Sequence, residues 1–191
     1  MTIKMAITGN VASGKSEVLK NLSSRGYPCF DSDIIVHKLY QNPEVQKQIL
    51  DICKIKDKKF DRNTIFQIIY NNKDIKQELE SFIHPMVEYA LDQFIAVHSN
   101  IRTTMIFMEV PLLFEVKWEN KCDYIICLYC QREIRKQRAA SRGISDAKFN
   151  QIDKSQIPEN IKKDLSDFAI DTNDKIEFIL EQLNHILTII V

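Results

Sequence analysis

The sequence predicts an α/β fold in which a five-stranded parallel sheet carries helices on both faces. Short apolar segments alternate with longer amphipathic segments, a pattern typical of parallel strands that are joined by helices. The length of 191 residues and the hydrophobic content of 45% suit one domain with a modest insertion. The apolar run at 124–128 lacks polar alternation, which indicates a strand covered on both faces.

Five short apolar segments are the predicted strands. In chain order they are residues 3–8, 27–30, 103–108, 124–128 and 168–170. Their lengths are within the range that is typical of strands in globular proteins.

Helical periodicity and glycine positions define most of the connections. A helix is predicted from about 14 to 25, with Gly26 at the position of a left-handed C-terminal cap. Residues 34–40 also have a helical pattern. The later helices are a basic one at about 131–142 closed by Gly143, two short ones over 145–165 divided by Pro158, and an amphipathic one at 176–190.

Residues 43–98 form a helical, strand-poor block after the second strand. Apolar side chains in its last part recur at spacings of three and four, as on one face of a helix. Pro85 lies inside that pattern, and we expect it to kink or break the helix. The block is therefore predicted to be an insertion into the sheet domain.

The loop after the first strand matches the phosphate-binding pattern G-x-x-x-x-G-K-[ST]. It reads Gly9-Asn10-Val11-Ala12-Ser13-Gly14-Lys15-Ser16 and is followed by Glu17. Glycines let the backbone approach phosphate oxygens, and the N–H groups together with the helix N-terminus attract the anion. Lys15 would reach the β- and γ-oxygens and Ser16 would ligate Mg²⁺. We expect Lys15 to be exposed and to contribute little packing.

Asp31 and Asp33 follow the second strand, at the edge of an open parallel sheet where ligands bind. Beside a polyphosphate, one carboxylate suits a base for an acceptor hydroxyl and the other a contact to Mg²⁺. Aspartate is also a preferred helix N-cap, so the same pair fits a purely structural role. The spacing leaves both interpretations open.

Four arginines follow the fourth strand at helical spacings: Arg132, Arg135, Arg138 and Arg142. One interpretation is a solvated basic helix surface. The other is a lid whose arginines stabilise the charge that develops on a transferred phosphoryl group and whose closure excludes water. The phosphate loop favours the second.

Composition excludes several classes of partner. The 26 basic and 26 acidic residues balance, which removes the electrostatic reason to expect nucleic acid or an acidic membrane. No apolar run approaches the roughly 18–20 residues of a membrane span, and the N-terminus does not have the pattern of a secretory leader. Five cysteines without framework spacing indicate a reducing compartment, so we expect a cytoplasmic protein. The pair Cys127 and Cys130 lacks further ligands at zinc spacing.

Taken in order, these motifs resemble the dephospho-CoA kinase family from about residue 3 to 173. Besides the loop, the resemblance rests on Asp31-Ser32-Asp33, His84-Pro85, Pro111-Leu112-Leu113-Phe114-Glu115, the lid pair Arg138 and Arg142, and Gln156, Lys162 and Asp167. The chain departs from the family pattern at three positions. His37 stands where Arg is usual, Glu17 where Thr is common and Thr172 where Asn is common.

The resemblance implies a phosphate-loop kinase over residues 1–191. Its core would comprise about 1–40, 100–130 and 166–191, with an acceptor-binding helical insertion at 43–98 and a lid at 131–165. The implied reaction moves the γ-phosphoryl of ATP to the ribose 3′-hydroxyl of dephospho-CoA, with Mg²⁺ as cofactor. The sequence pattern predicts no particular oligomeric state.

The resemblance also assigns roles to residues. Asp33 would be the base, with Lys15, Arg138 and Arg142 as the other catalytic groups. The nucleotide would contact Gly9, Val11, Ala12, Ser13, Gly14, Lys15, Ser16, Glu17, Arg138 and Asp167. The acceptor would contact Asp31, Asp33, His84, Pro111, Leu112, Leu113 and Glu115, and Mg²⁺ would take Ser16 with Asp31 or Asp33.

Two other functions fit parts of the pattern. One is another small-molecule kinase, such as a nucleoside monophosphate or shikimate-type kinase, against which the long insertion and Pro111–Glu115 argue. The other is a non-catalytic nucleotide-binding module, which would need neither an acceptor base nor a lid.

Overall fold

The computed structural model describes residues 2–56, 60–100 and 104–190. Five parallel strands form one sheet in the order β2-β3-β1-β4-β5. The strands are β1 (Ile3–Thr8), β2 (Cys29–Asp31), β3 (Met105–Glu109), β4 (Tyr124–Tyr129) and β5 (Phe168–Asp171). The predicted parallel sheet is confirmed; Thr103, the predicted start of the third strand, lies outside the described residues.

Helices join and flank the strands. They are α1 (Lys15–Ser24), α2 (Ser32–Leu39), α3 (Pro43–Ile52), α4 (Arg62–Asn71), α5 (Lys73–Asn100), α6 (Arg132–Ser141), α7 (Asp146–Ser155), α8 (Glu159–Asp164) and α9 (Ile176–Ile190). Gly26 and Gly143 both have positive φ angles, as predicted for the ends of α1 and α6.

The chain forms two compact units. One runs up to Asp31 and resumes at Val97, and the other spans Ser32–Ala96. The sheet belongs to the first unit. The second contains α2, α3, α4 and most of α5, so it begins before the insertion boundary that we expect at residue 43.

The core of the first unit lies on the sheet. Met5, Ile7 and Phe107 are fully buried among side chains of α1 and α9, including Leu22 and Leu183. The four central residues of β4 are also buried, which confirms a strand covered on both faces. Because the strands are parallel, their carboxyl ends lie at one edge of the sheet.

Local signals start the helices of the second unit. The Asn42 side chain accepts hydrogen bonds from the N–H groups of Glu44 and Val45, and Pro43 occupies the first helical position. Asp61 caps α4 in the same way. These caps satisfy backbone donors that a helix N-terminus otherwise leaves unpaired.

Pro85 does not break its helix, so that part of the prediction is wrong: α5 is continuous from Lys73 to Asn100. An interior proline costs about 3 kcal/mol. Apolar side chains on both sides of Pro85, Ile83 and Val87 among them, are buried. Burying this continuous stripe offsets the lost hydrogen bond.

Within the described part of the chain, no helix has the length and apolar character needed to cross a membrane.

Candidate active site

The loop from Gly9 to Gly14 connects the carboxyl end of β1 to the first residue of α1. Gly9 has a φ of 141°, and a Cβ there would lie 2.3 Å from the carbonyl oxygen of Leu128. Only glycine permits this close approach of the loop to β4. Gly14 has a φ of 97° at the start of α1. The loop therefore places backbone N–H groups and a helix N-terminus at the ligand-binding edge of the sheet.

Lys15 is held inside the loop. Its Nζ donates to the carbonyl oxygens of Gly9 at 3.0 Å and Asn10 at 3.1 Å. The residue is 6% exposed, so the expectation that it is exposed is wrong. Loop carbonyl groups within reach of the ammonium explain this, because a lysine side chain buries its stem readily when its charge has acceptors. Lys15 therefore shapes the loop as well as supplying charge to it.

Ser16 contacts the carboxylate of Glu109, a residue that belongs to none of the predicted motifs. Ser16 Oγ donates to Glu109 Oε1 at 3.3 Å. Glu109 is the last residue of β3, is 2% exposed and lies in register with Asp31 on β2. In the sequence, the feature that points to Glu109 is its place as an acidic residue at the end of a predicted buried strand. A hydroxyl and carboxylates at one sheet edge form the oxygen-rich donor set that suits Mg²⁺.

The two aspartates belong to different compact units. Asp31 is the half-buried last residue of β2 in the first unit, whereas Asp33 is exposed in the second unit. Helix α2 begins at Ser32, so Asp33 lies in its first turn and the N-cap position falls to Asp31. Asp33 as N-cap is thereby ruled out, and its role as a base stays a prediction.

Arg138 lies beside the loop. Its Nη2 donates to the carbonyl oxygen of Thr172 at 2.6 Å, and its Nη1 lies 3.6 Å from Cys130 Sγ. A Cβ on Gly14 would be 3.9 Å from that Nη1. The guanidinium is thus close to the N-terminus of α1, where a triphosphate would bind.

The other three of the four arginines that follow β4 have different environments. Arg132 pairs with Asp153 at 3.0 Å, and Arg135 is buried and pairs with the same carboxylate at 2.6 Å. Arg142 directly follows the last residue of α6 and is exposed. Of the four arginines, two therefore form ion pairs within residues 131–165, one lies beside the phosphate loop and one is exposed.

Three backbone atoms of the loop are bound by side chains that follow β4 in the chain. Val11 N–H donates to Gln156 Oε1 at 2.8 Å, and Arg135 Nη1 donates to Val11 O at 3.4 Å. Thr172 Oγ1 contacts the carbonyl oxygen of Ser13 at 2.8 Å. The loop is thus fixed by side chains from residues 131–165 and from the end of β5.

The segment Pro111–Glu115 is fastened to α8. Lys162, 0% exposed, donates to the carbonyl oxygen of Pro111 at 2.7 Å and pairs with Glu115 at 2.9 Å. Leu113 is fully buried, whereas Pro111 and Leu112 are half-buried. A buried ammonium needs such partners. The acceptor-binding role of this segment stays a prediction.

The structure does not bring Asp167 to the phosphate loop. Its carboxylate accepts the N–H of Ile125 at 2.7 Å, at the amino ends of β4 and β5. The loop lies at the opposite, carboxyl edge. His84 is a half-buried residue of α5 in the second unit, and its contact with the acceptor stays a prediction.

The cysteines form no metal centre. All five are free thiols, and the described residues contain no group of three or more His, Cys, Asp or Glu that could hold a metal ion. Burial raises the pKa of Cys127 to about 11 and also raises that of Cys130. Neither thiol has the lowered pKa of a reactive cysteine.

The parallel sheet and its glycine-bounded loop, with Lys15, Ser16 and Arg138 around it, define a phosphate-loop kinase, an enzyme that transfers a phosphoryl group to a hydroxyl. A family model described as dephospho-CoA kinase matches residues 3–177. The chain belongs to the dephospho-CoA kinase family.

Individual relatives agree with this. A dephospho-CoA kinase of Rickettsia bellii is 32% identical over 186 residues, covering 97% of this chain and 96% of the relative. A crystal structure from Thermus thermophilus has a TM-score of 0.83 at 26% identity, covering 100% of this chain and 98% of the other. The dephospho-CoA kinase of Campylobacter jejuni has a TM-score of 0.68 at 27% identity, covering 99% and 98%.

A shikimate kinase of Acinetobacter baumannii has a TM-score of 0.53 at 15% identity, covering 98% of this chain and 94% of the other. This likeness extends to the fold alone.

Proposed function

We propose that this protein transfers the γ-phosphoryl group of ATP to the ribose 3′-hydroxyl of dephospho-CoA, which gives CoA and ADP. The observation that carries the proposal is the convergence of Lys15, Ser16 and Arg138 on one phosphate loop in a member of this family. No feature of the site favours one of the alternative acceptors.

The loop supplies the triphosphate site. Its N–H groups and the N-terminus of α1 offer donors to the β-phosphate, and Lys15 adds a positive charge. Lys15 already lies within the loop, so it exchanges carbonyl partners for phosphate oxygens over a short distance. Preorganised donors of this kind lose little energy to rearrangement when charge develops.

Ser16 and Glu109 would hold Mg²⁺, with Asp31 as the neighbouring carboxylate in register. This adds Glu109 to the predicted set of Ser16 with Asp31 or Asp33. When bound, the ion neutralises phosphate charge and helps to orient the transferred group. Glu109 is the last residue of β3 and is nearly inaccessible to solvent, which limits the freedom of its side chain.

Asp33 accepts the proton of the 3′-hydroxyl. In the transfer, the bond between the γ-phosphorus and the β–γ bridging oxygen breaks, and a bond from the 3′-oxygen to that phosphorus forms. ADP carries the electron pair of the broken bond. Because phosphoryl transfer is loose, Asp33 orients the hydroxyl as much as it activates it. His84 and Pro111–Glu115 are the proposed surroundings of the acceptor.

Arg138 stabilises the charge on the transferred phosphoryl group. Its position supports this role, because the guanidinium lies beside Gly14 at the start of α1. Contacts with Thr172 and Cys130 hold it there. Residues 131–165 exclude water from the site, and the exposed Arg142 joins the phosphates when they bind.

We assign the reaction to the cytoplasm, where free thiols such as the five found here persist. We infer no nucleic-acid partner, because the net charge is zero.

Product identification tests the proposal. The protein, incubated with ATP, Mg²⁺ and dephospho-CoA, is expected to yield a new 3′-phosphomonoester signal in ³¹P NMR and a mass gain of one phosphoryl group on the acceptor. Conversion of ATP to ADP and free phosphate, with dephospho-CoA unchanged, would contradict it.

A further inference from the structure

The peptide groups on both sides of Val11 are bound by side chains from residues 131–165. Gln156 Oε1 accepts the N–H of Val11 at 2.8 Å, and Arg135 Nη1 donates to its carbonyl oxygen at 3.4 Å. Val11 lies in the middle of the phosphate loop. The two hydrogen bonds therefore fix the loop backbone from outside the loop.

The Arg135 side of this arrangement is firmly anchored. Arg135 is 4% exposed and pairs with Asp153 at 2.6 Å and with Glu159 at 3.4 Å. Its Nε also donates to the carbonyl oxygen of Cys130. Removing Arg135 would take an ion-pair partner from both Asp153 and Glu159 and would disturb α6, α7 and α8 together. A substitution there would therefore not isolate the contact with the loop.

Gln156 offers a cleaner probe. It lies between α7 and α8, is half-buried, and its side chain makes the bond to Val11 as its one hydrogen bond within the described part of the chain. A change of its amide group thus affects the loop without dismantling an ion-pair network.

The residue after Val11 shows why the loop needs support. Ala12 has a φ of 60°, in the left-handed region, which is unfavourable for a residue other than glycine. Its side chain is buried against Ala139 and Phe149. Left-handed residues in a turn direct successive N–H groups into one concavity, which attracts anions. The left-handed conformation of Ala12 is unfavourable by itself, so contacts with neighbouring residues must stabilise it.

We propose that Gln156 is a positioning residue, which holds Val11 and Ala12 in the conformation that receives phosphate. The inference rests on the proposed function of the loop as the ATP site. Gln156 acts through the backbone of Val11. Its loss lets the loop populate other conformations, and affinity for nucleotide falls in proportion to the fraction that stays competent.

Kinetics of Gln156→Met test this role. Methionine keeps the length of the side chain but accepts no comparable hydrogen bond, so the Val11 N–H loses its partner. We expect the KM for ATP to rise about tenfold and kcat to change by less than about threefold, since a lost bond to a buried donor has roughly that effect. Gln151→Met in α7 is the matched control, because within the described residues the Gln151 side chain makes no hydrogen bond to the loop.

Three kinetic outcomes overturn the proposal. They are unchanged kinetics in Gln156→Met, the same change in Gln151→Met, and a fall in kcat at unchanged KM. The last would mean that Gln156 acts on the transferred group itself.

Amide hydrogen exchange gives a readout that a general loss of stability does not imitate. Gln156→Glu keeps an acceptor oxygen at the same reach, so the Val11 amide stays protected in it and becomes unprotected in Gln156→Met. Equal protection in both variants overturns the proposal.

ADP affinity, measured by calorimetry, separates the two claims. An inactive wild-type protein contradicts the proposed function, but an ADP affinity that falls about tenfold in Gln156→Met still supports the positioning role. Unchanged ADP affinity overturns it.

Discussion

Ser16 Oγ donates a hydrogen bond to Glu109 Oε1 over 3.3 Å and so joins the first turn of α1 to the carboxyl end of β3. The contact spans 93 residues of sequence, which is why neither residue reveals the other in the printed chain. It places a carboxylate beside the hydroxyl of the phosphate loop, where a triphosphate and its cation would meet.

Glu109→Gln is expected to raise the Mg²⁺ concentration that gives half-maximal activity by about 10–100-fold. Glutamine keeps the size of the side chain and an acceptor for Ser16, but it removes the charge that attracts the cation. Activity measured over a Mg²⁺ titration at saturating ATP checks this. Glu133→Gln, at an exposed position on α6, is the control, and equal Mg²⁺ requirements in the two variants would remove Glu109 from the site.

Lys15→Ala is expected to abolish phosphoryl transfer. The substitution removes a charge that lies within the loop and two hydrogen bonds to loop carbonyl groups. Turnover at saturating ATP, with the thermal midpoint on the same preparation, checks it. Lys20→Ala on the exposed side of α1 should behave like wild type. Near-normal turnover in Lys15→Ala would show that residues 9–16 are not the active phosphate site.

Arg138→Ala is expected to lower kcat roughly a thousandfold, the scale found when an arginine stabilises phosphoryl-transfer charge. The KM for ATP should rise less. Steady-state kinetics separates the two parameters, with Lys136→Ala as the control on the same helix because its partner is the exposed Asp146. A change in KM alone would show that Arg138 binds the nucleotide equally in the ground state and the transition state.

Asp33→Asn is expected to lower kcat about 10²-fold or more and to leave ATP binding nearly intact. Asparagine keeps a hydrogen bond to the acceptor hydroxyl but loses the charge. A structural role in the first turn of α2 would cost about 0.3–1 kcal/mol of stability through the helix dipole, with normal turnover. Measuring kcat and the thermal midpoint together distinguishes the two, and wild-type turnover would refute the role as a base.

Cys127 and Cys130 are expected to resist alkylation in the native protein. Burial raises the pKa of Cys127 to about 11, so about one thiol in a thousand is ionised at pH 8. Because the thiolate is the reactive form, the rate of alkylation should rise with pH up to that pKa. Mass spectrometry after iodoacetamide treatment, with and without urea, measures it. Rapid native labelling of both cysteines would revive a redox role for the pair.

Local patterns predicted most of the fold. The apolar runs gave β1 at Ile3–Thr8 as observed, and Gly26 and Gly143 marked helix ends because a positive φ favours glycine. The prediction of a helix break at Pro85 is wrong because burial along α5 outweighs a local backbone penalty. A local rule fails where packing between distant residues supplies more free energy than the rule costs.

The site is less predictable than the fold, because its residues come from elements that are distant in sequence. The loop motif identified Lys15 and Ser16, but the exposure of Lys15 depends on the path of loop carbonyl groups. Glu109, Gln156 and Arg135 approach the loop from other elements, so spacing along the chain does not reveal their contacts. Arg135 and Arg138 have the same spacing pattern, and only tertiary structure distinguishes an arginine held in ion pairs from one beside the N-terminus of α1.

Acceptor-dependent release of ADP tests the central claim most directly. The purified protein is assayed with ATP and Mg²⁺ against dephospho-CoA, nucleoside monophosphates and shikimate, with a sample lacking acceptor to measure background hydrolysis. ADP release well above background with dephospho-CoA, and near background with the others, is the predicted result. Release at the background rate with dephospho-CoA, or faster release with another acceptor, would contradict the assignment.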